Sequence, residues 1–289
     1  MIRIIDGFAY ESSVGDSVKL KVYDLGNGHL EVSGVRETVW KESDMSPLAI
    51  EMYLEALERH KAETVEERAA QRLQIAANRA KRNVRRLCKV MGANTLLTLT
   101  YRENVTDLAQ CKKDLKEFVR RLRRVVPDFR AVACFEPQDR GCWHVHLATV
   151  RFPAFLTPSG CDSKVKVKSF NVIRAVWRSV TKDKGGTANV ANTKRGANRS
   201  PAKIAAYIAK YIAKAFVDGE AGSNRWTRFG DVEIPVPVDL GRFPDMRSVV
   251  EFAYGLVDGC ARIVDKHLSK WNDWFFLVAE GQTIGSAAS

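Results

Sequence analysis

Acidic residues almost vanish from one stretch of this chain: residues 164–214 hold only Asp183, against 13 lysines and arginines. Other absences narrow the field further. No apolar run approaches the roughly 18 residues of a membrane-spanning helix, and the opening Met-Ile-Arg-Ile-Ile-Asp lacks the layout of a secretory signal. The six cysteines form no C-x-x-C pair, which argues against zinc ribbons and a disulfide framework and reads as reduced thiols of a cytosolic protein. There is no G-x-x-x-x-G-K-[ST] loop, so no nucleotide-driven motor is expected.

What is present is ample material for a core. The chain has 289 residues, 45% of them hydrophobic and 28% charged, the profile of a globular protein. The net charge of +12 is unevenly spread. Residues 1–64 carry −5, residues 65–163 carry +9, residues 164–214 carry +12 and residues 215–289 carry −4. A basic middle between acidic flanks calls for a polyanionic partner. Nucleic acid is favoured over a membrane surface, because no basic amphipathic segment also carries the exposed hydrophobics that insertion needs.

The pattern around Glu136–Val150 carries the first chemistry. Cys142, His144, His146, Ala148 and Val150 alternate with Trp143, Val145, Leu147 and Thr149, as on a strand. Ala131–Glu136 alternates before it, and Asp139-Arg140-Gly141 suits a three-residue hairpin loop with Gly141 left-handed. That register sets Glu136 opposite His144 and gathers Glu136, His144 and His146 on one sheet face. Two imidazoles and a carboxylate so placed can hold a divalent cation with positions left open for substrate. The bland alternative is a pair of core histidines.

Further elements follow from periodicity. Short strands with a turn at Gly26-Asn27-Gly28 are expected over residues 1–40. A helix starts at Ser46-Pro47 and runs, with one break, to about Val90; its second half gathers Arg68, Arg72, Arg79, Lys81, Arg82, Arg85, Arg86 and Lys89. Thr95–Tyr101 reads as a strand. Thr106 or Asp107 caps an amphipathic helix with Leu108, Cys111, Leu115, Phe118, Val119, Leu122 and Val126 on its apolar stripe. Another helix is expected over 171–181, a strand over 187–191, and a basic loop with Lys194, Arg195 and Arg199 over 192–200. Residues 247–264 read as helical, and Trp271, Trp274, Phe275 and Phe276 as core. The expected fold is α+β, a central antiparallel sheet with flanking helices. The chain divides into a 1–90 extension of strands and basic helix, a 91–216 core and a 217–289 extension.

The second chemical stretch is Ser200–Lys214. Ser200 caps and Pro201 opens a helix with Ile204, Ile208, Ile212 and Phe216 on its buried face. Tyr207, Lys210, Tyr211 and Lys214 share another face. A phenol of ordinary pKa ~10 is a weak nucleophile unaided. A cation nearby would polarise a phosphodiester, and Lys210 would lower the phenol pKa or neutralise the phosphate. Lys203 and Lys214 bracket the tyrosines as DNA contacts, and Arg225, Trp226 and Arg228 form a basic-aromatic patch able to stack on bases.

Three motifs in order, L-T-L-T-Y at Leu97–Tyr101, E-x7-H-x-H at Glu136–His146 and Y-x-x-K-Y at Tyr207–Tyr211, make the chain resemble the HUH-family rolling-circle replication initiators. The likeness is to the two-tyrosine branch of small phages and prophages and covers about Thr95 to Lys214. It implies an HUH endonuclease fold on an RRM/ferredoxin-like core, with the histidines on a middle strand beside the tyrosine helix. It also implies Mg²⁺ or Mn²⁺ on His144, His146 and Glu136, with Tyr207 and Tyr211 as paired nucleophiles. One tyrosine would nick single-stranded origin DNA, leaving a 5′-phosphotyrosine and a 3′-hydroxyl, and the other would act in strand transfer. A host helicase and polymerase would be the partners, in the cytoplasm of a bacterial host. An HUH relaxase or transposase stays open, as does a non-catalytic basic DNA-binding regulator. An Fe(II) oxygenase would leave Tyr207, Lys210 and the basic segment without a use.

Overall fold

The long strands come first. The computed structural model describes residues 2–63, 65–191, 201–217, 225–258 and 261–281. It begins with β1 (Ile2–Ile5), β2 (Phe8–Asp24) and β3 (His29–Glu42), then α1 (Pro47–Glu63) and α2 (Val65–Met91). Next come β4 (Thr95–Tyr101), α3 (Leu108–Leu122), β5 (Ala131–Pro137) and β6 (Trp143–Thr149). A small hairpin, β7 (Phe155–Leu156) and β8 (Val167–Lys168), leads into α4 (Ser169–Thr181) and β9 (Gly186–Ala191). The chain continues through α5 (Pro201–Val217), β10 (Trp226–Phe229), β11 (Val238–Phe243) and α6 (Met246–Val257), and ends in β12 (Ala261–Leu268) and β13 (Trp274–Gly281). The fold is α+β, with antiparallel pairing throughout.

The chain forms two compact units, one from residues 1–71 and 235–289, the other from 72–234. These bounds differ from the three-part division expected from sequence. The reason is β13, which pairs along β3 from Trp274↔Val35 to Glu280↔His29 and so joins the two ends of the chain in one sheet. The sheet order is β1-β2-β3-β13-β12, with β11 also on β2. Val249 and Ala253 of α6 pack on Val18, Leu20, Val32, Phe275, Leu277 and Ala279.

Two local expectations in this unit are corrected. Residues 247–264 are not one helix: α6 stops at Val257 and β12 follows, paired with β13. A register shift between Ile263 and Asp265 breaks the alternation that would have marked this strand. Of the aromatic cluster only Phe275 is in the core; Trp271 is 79% exposed, in the turn between β12 and β13, and Trp274 is exposed as well.

In the other unit, β4-α3-β5-β6-α4-β9 forms a split βαβ pattern with strand order β5-β6-β4-β9, the ferredoxin-like arrangement, extended by β10 on the β5 edge. The strand bearing the histidines, β6, is central. Leu97, Leu99, Phe135, Val145 and Leu147 meet α3 and α4 through Leu115, Phe118, Ile173 and Trp177. Leu96, Val132, Cys134 and Ala148, from the opposite face, meet α2 and α5 through Val84, Leu87, Cys88, Ile204 and Ile208. Each fully buried leucine, isoleucine or valine here contributes about 1.5–3 kcal/mol. The strand alternation thus assigns the sheet's two faces to two helix pairs.

Helix boundaries follow their caps. Ser46 Oγ accepts the Ala49 N–H at 3.3 Å, and Asp107 Oδ1 accepts the Ala109 N–H at 2.7 Å. Asp114 is buried on α3 but satisfied by Tyr101 Oη at 2.9 Å, Lys184 Nζ at 2.7 Å and Gln110 Nε2 at 2.9 Å. No helix among the described residues is long and apolar enough to cross a membrane.

Candidate active site

The β5–β6 hairpin has the register its alternation predicts. Glu136 lies opposite His144 and Cys134 opposite His146. Gly141 N–H donates to Gln138 O at 2.7 Å, closing the turn, and Gly141 takes φ +80°, a conformation that favours glycine. One row runs straight across the sheet: Trp226, Cys134, His146, Thr98 and Asn189. All five therefore share the face covered by α5.

Within that row His146 is only 5% exposed and both of its ring nitrogens are occupied. Nε2 lies 2.8 Å from Glu136 Oε2, and Nδ1 lies 3.2 Å from Thr98 Oγ1. Glu136 thus reaches diagonally past His144, its directly opposed neighbour. The rings of His144 and His146 are 6.4 Å apart. Burial lowers the pKa of both imidazoles, with the charge of His146 adding to the effect at His144; the bond to Glu136 partly offsets the effect at His146.

Helix α5 brings the tyrosines over this row. Its Ile204, Ala205 and Ile208 bury against the sheet, so the neighbouring stripe falls above β6. The Tyr211 ring stacks on His146 at 4.1 Å and 13°. Tyr207 meets the same imidazole edge-on at 6.3 Å and Tyr211 at 4.9 Å. The Tyr211 hydroxyl donates to the Tyr207 hydroxyl at 2.6 Å. Burial, followed by the bond to Tyr207, pushes the Tyr211 phenol above its ordinary range, in keeping with its role as donor. Tyr207 is 40% exposed and its oxygen, the acceptor, is the more accessible of the two.

The remaining candidates scatter. Lys203 and Lys210 are exposed on α5. Lys194, Arg195 and Arg199 lie outside the described residues, as does the side chain of Lys214. Arg225 is 5% exposed, with its guanidinium 5.0 Å from the Trp143 ring centre, in the layer facing α3 rather than α5. Trp226 packs partly buried against the α2–α5 cluster. Arg228 donates to Val232 O at 2.6 Å and lies 3.6 Å from Glu233. The basic-aromatic stretch is therefore an edge strand, with only Arg228 exposed among the three residues expected to contact DNA. Thr98 and Asn189 are site residues that sequence reasoning missed. For Thr98 a signal exists: Leu-Thr-Leu-Thr alternation puts it on the face opposite Leu97 and Leu99.

Among the described residues, no three His, Cys, Asp or Glu side chains are already gathered around a point suited to a metal ion. The donor chemistry nonetheless fits a divalent cation. Two imidazoles kept neutral by burial and a carboxylate share one sheet face, and the Thr98 contact at Nδ1 is the kind of outer hydrogen bond that orients a ligating histidine. Binding would require the Glu136–His146 bond to give way.

Residues 94–216 match a family model of replication-associated proteins, the ORF2 group. The matched segment opens just before β4 and closes within α5, so it contains Thr98, Glu136, both histidines and both tyrosines. Over that segment the chain is similar to proteins associated with replication, which supports a role on DNA. No curated protein and no solved structure matches the chain.

Proposed function

We propose that this protein initiates rolling-circle replication by nicking and rejoining single-stranded DNA through a phosphotyrosine. The observation that carries the proposal is the seating of two hydrogen-bonded tyrosines directly on a histidine that is itself tied to a carboxylate. A purely structural helix–sheet contact would not need two phenols sharing one proton at an exposed edge.

The chain's own groups divide the work. The Tyr207 oxygen attacks phosphorus in line with the 3′-oxygen; the O–P bond forms as the P–O3′ bond breaks, and the phenolic proton ends on the departing 3′-hydroxyl. Tyr211 keeps its hydrogen bond to the Tyr207 oxygen as charge develops there, then serves as the second acceptor in strand transfer. Lys210, exposed three residues after Tyr207, offsets phosphate charge. Thr98 fixes the His146 ring. Glu136, His144 and His146 would hold Mg²⁺ or Mn²⁺, which supplies polarisation of the non-bridging oxygens.

The test is an adduct assay. Single-stranded oligonucleotides tiling the replicon that carries the gene are incubated with the protein and Mn²⁺ or EDTA, then run on SDS gels. A metal-dependent covalent adduct is expected. Tyr207→Phe should lower first-strand cleavage at least tenfold, Tyr211→Phe should impair joining more than cleavage, and the double variant should form none. Binding without any adduct, indifferent to EDTA, would mark the protein as a DNA-binding regulator whose Glu136–His146 pair is structural. Equal behaviour of the two single variants would remove the division of labour.

A further inference from the structure

A cavity of about 250 Å³ opens beside Tyr207, walled by Leu96, Ile204, Lys203 and the tyrosine ring. It is not used by the chemistry described above. We propose that it is a nucleobase subsite, receiving the base of the nucleotide next to the scissile phosphate; the proposal rests on the reading of Tyr207 as nucleophile.

Three observations converge. The first is the chemistry of the walls. Leu96 and Ile204 are apolar and nearly buried, Tyr207 offers an aromatic surface, and Lys203 lies at the exposed first turn of α5. No carboxylate lines the cavity. Apolar walls with one aromatic ring suit a planar heterocycle with two π faces, while a lysine ammonium suits the phosphate attached to it. The second is size. The volume falls below the roughly 300–1,000 Å³ of pockets for drug-sized ligands, and matches a single ring system rather than a folded peptide segment. The third is position. Leu96 and Thr98 lie two residues apart on the same face of β4, about 7 Å along the strand. Thr98 belongs to the His146 row, so the cavity lies one short step from the place where the tyrosine hydroxyls wait.

These walls provide no fork of donors and acceptors able to read a base edge. Selection there works by fit and stacking, which tolerates more than one base but not a missing one. Filling the cavity should therefore mimic removal of the base.

The experiment uses the full chain and an oligonucleotide whose scissile phosphate has been mapped by the adduct. An abasic residue is placed at each flanking nucleotide in turn, and single-turnover adduct formation is measured for the wild type and Leu96→Trp. One abasic position should slow the wild type by about 10- to 100-fold, the scale of a lost stacking contact. Leu96→Trp should slow the intact substrate similarly and show no further loss on that abasic one. As a check independent of folding of the variant, a photoreactive thymine analogue at the sensitive position should crosslink to Leu96, Lys203 or Tyr207 of the wild type. Adduct formation indifferent to every abasic position, or a crosslink mapping elsewhere on the chain, would overturn the subsite while leaving the nickase intact. Absence of any adduct on intact strands would overturn both.

Discussion

Thr98 shows how much a single hydroxyl can decide at this site. His146 has no freedom left: Glu136 holds one nitrogen, Thr98 the other, and Tyr211 covers its face. If these residues take up a cation, Thr98 is the group that presents the imidazole to it. Thr98→Val keeps the shape and removes the hydrogen bond, so Mn²⁺ affinity measured by calorimetry should fall about 10- to 100-fold with unchanged circular dichroism. An unchanged affinity would mean that packing alone orients the ring. The pairing of Glu136 with His146 rather than His144 lies beyond a sequence pattern, because alternation assigns a face and a register but not a rotamer. Cysteine burial gives a second check at this scale. Burial raises the thiols of Cys88 and Cys111 to about 12, so at pH 8 both stay protonated and unreactive, whereas Cys161 is exposed. Brief alkylation at pH 8 followed by peptide mass spectrometry should modify Cys161 and spare Cys88 and Cys111. Rapid labelling of either buried thiol would show that α2 or α3 opens readily.

Among the elements, those with strong local signals were legible and those relying on distant partners were not. The β5–β6 hairpin announced itself through alternation on both strands and a glycine where the turn requires positive φ. Helix α3 announced itself through a clean apolar stripe and Asp107. This cap is open to a direct test: Asp107→Ala removes the acceptor for the Ala109 N–H and should cost about 0.5–2 kcal/mol in urea unfolding, with no change in the slope of the transition. A loss under a few tenths would mean that another group takes over the cap. Strand β12 had no such signal. Its bulge at Ile263–Asp265 interrupts the period of two, and it is held by a β13 whose own partner, β3, lies more than two hundred residues earlier in the chain. For the same reason a stretch rich in tryptophan looked like core, although Trp271 sits at the tip of a turn. Hydrophobicity records the cost of exposure but not which turn the chain will make.

At the scale of the whole chain, charge follows the division into units more sharply than it follows the sequence. Residues 72–234 hold 33 basic and 13 acidic side chains, a net of +20, while residues 1–71 and 235–289 together hold 13 and 21, a net of −8. The linear reading saw a basic middle between acidic flanks, but only the pairing of β3 with β13 shows that the flanks are one body. The concentration of positive charge in the unit that carries the tyrosines predicts how it meets DNA. If about six phosphates are contacted on a single strand, the logarithm of affinity should fall against the logarithm of salt with a slope near −4, since each neutralised phosphate releases roughly 0.7 counterion. Fluorescence anisotropy with a labelled oligonucleotide between about 50 and 200 mM salt measures this directly, in the range where such slopes are read. Arg225 makes the prediction sharper. With its guanidinium over Trp143, Arg225→Gln should leave the slope unchanged, whereas Arg228→Gln, on the exposed face of β10, should reduce it by a fraction of a unit. A slope shallower than about −1 would mean that the basic unit does not track a phosphate backbone, and the charge would then need another polyanion as its partner.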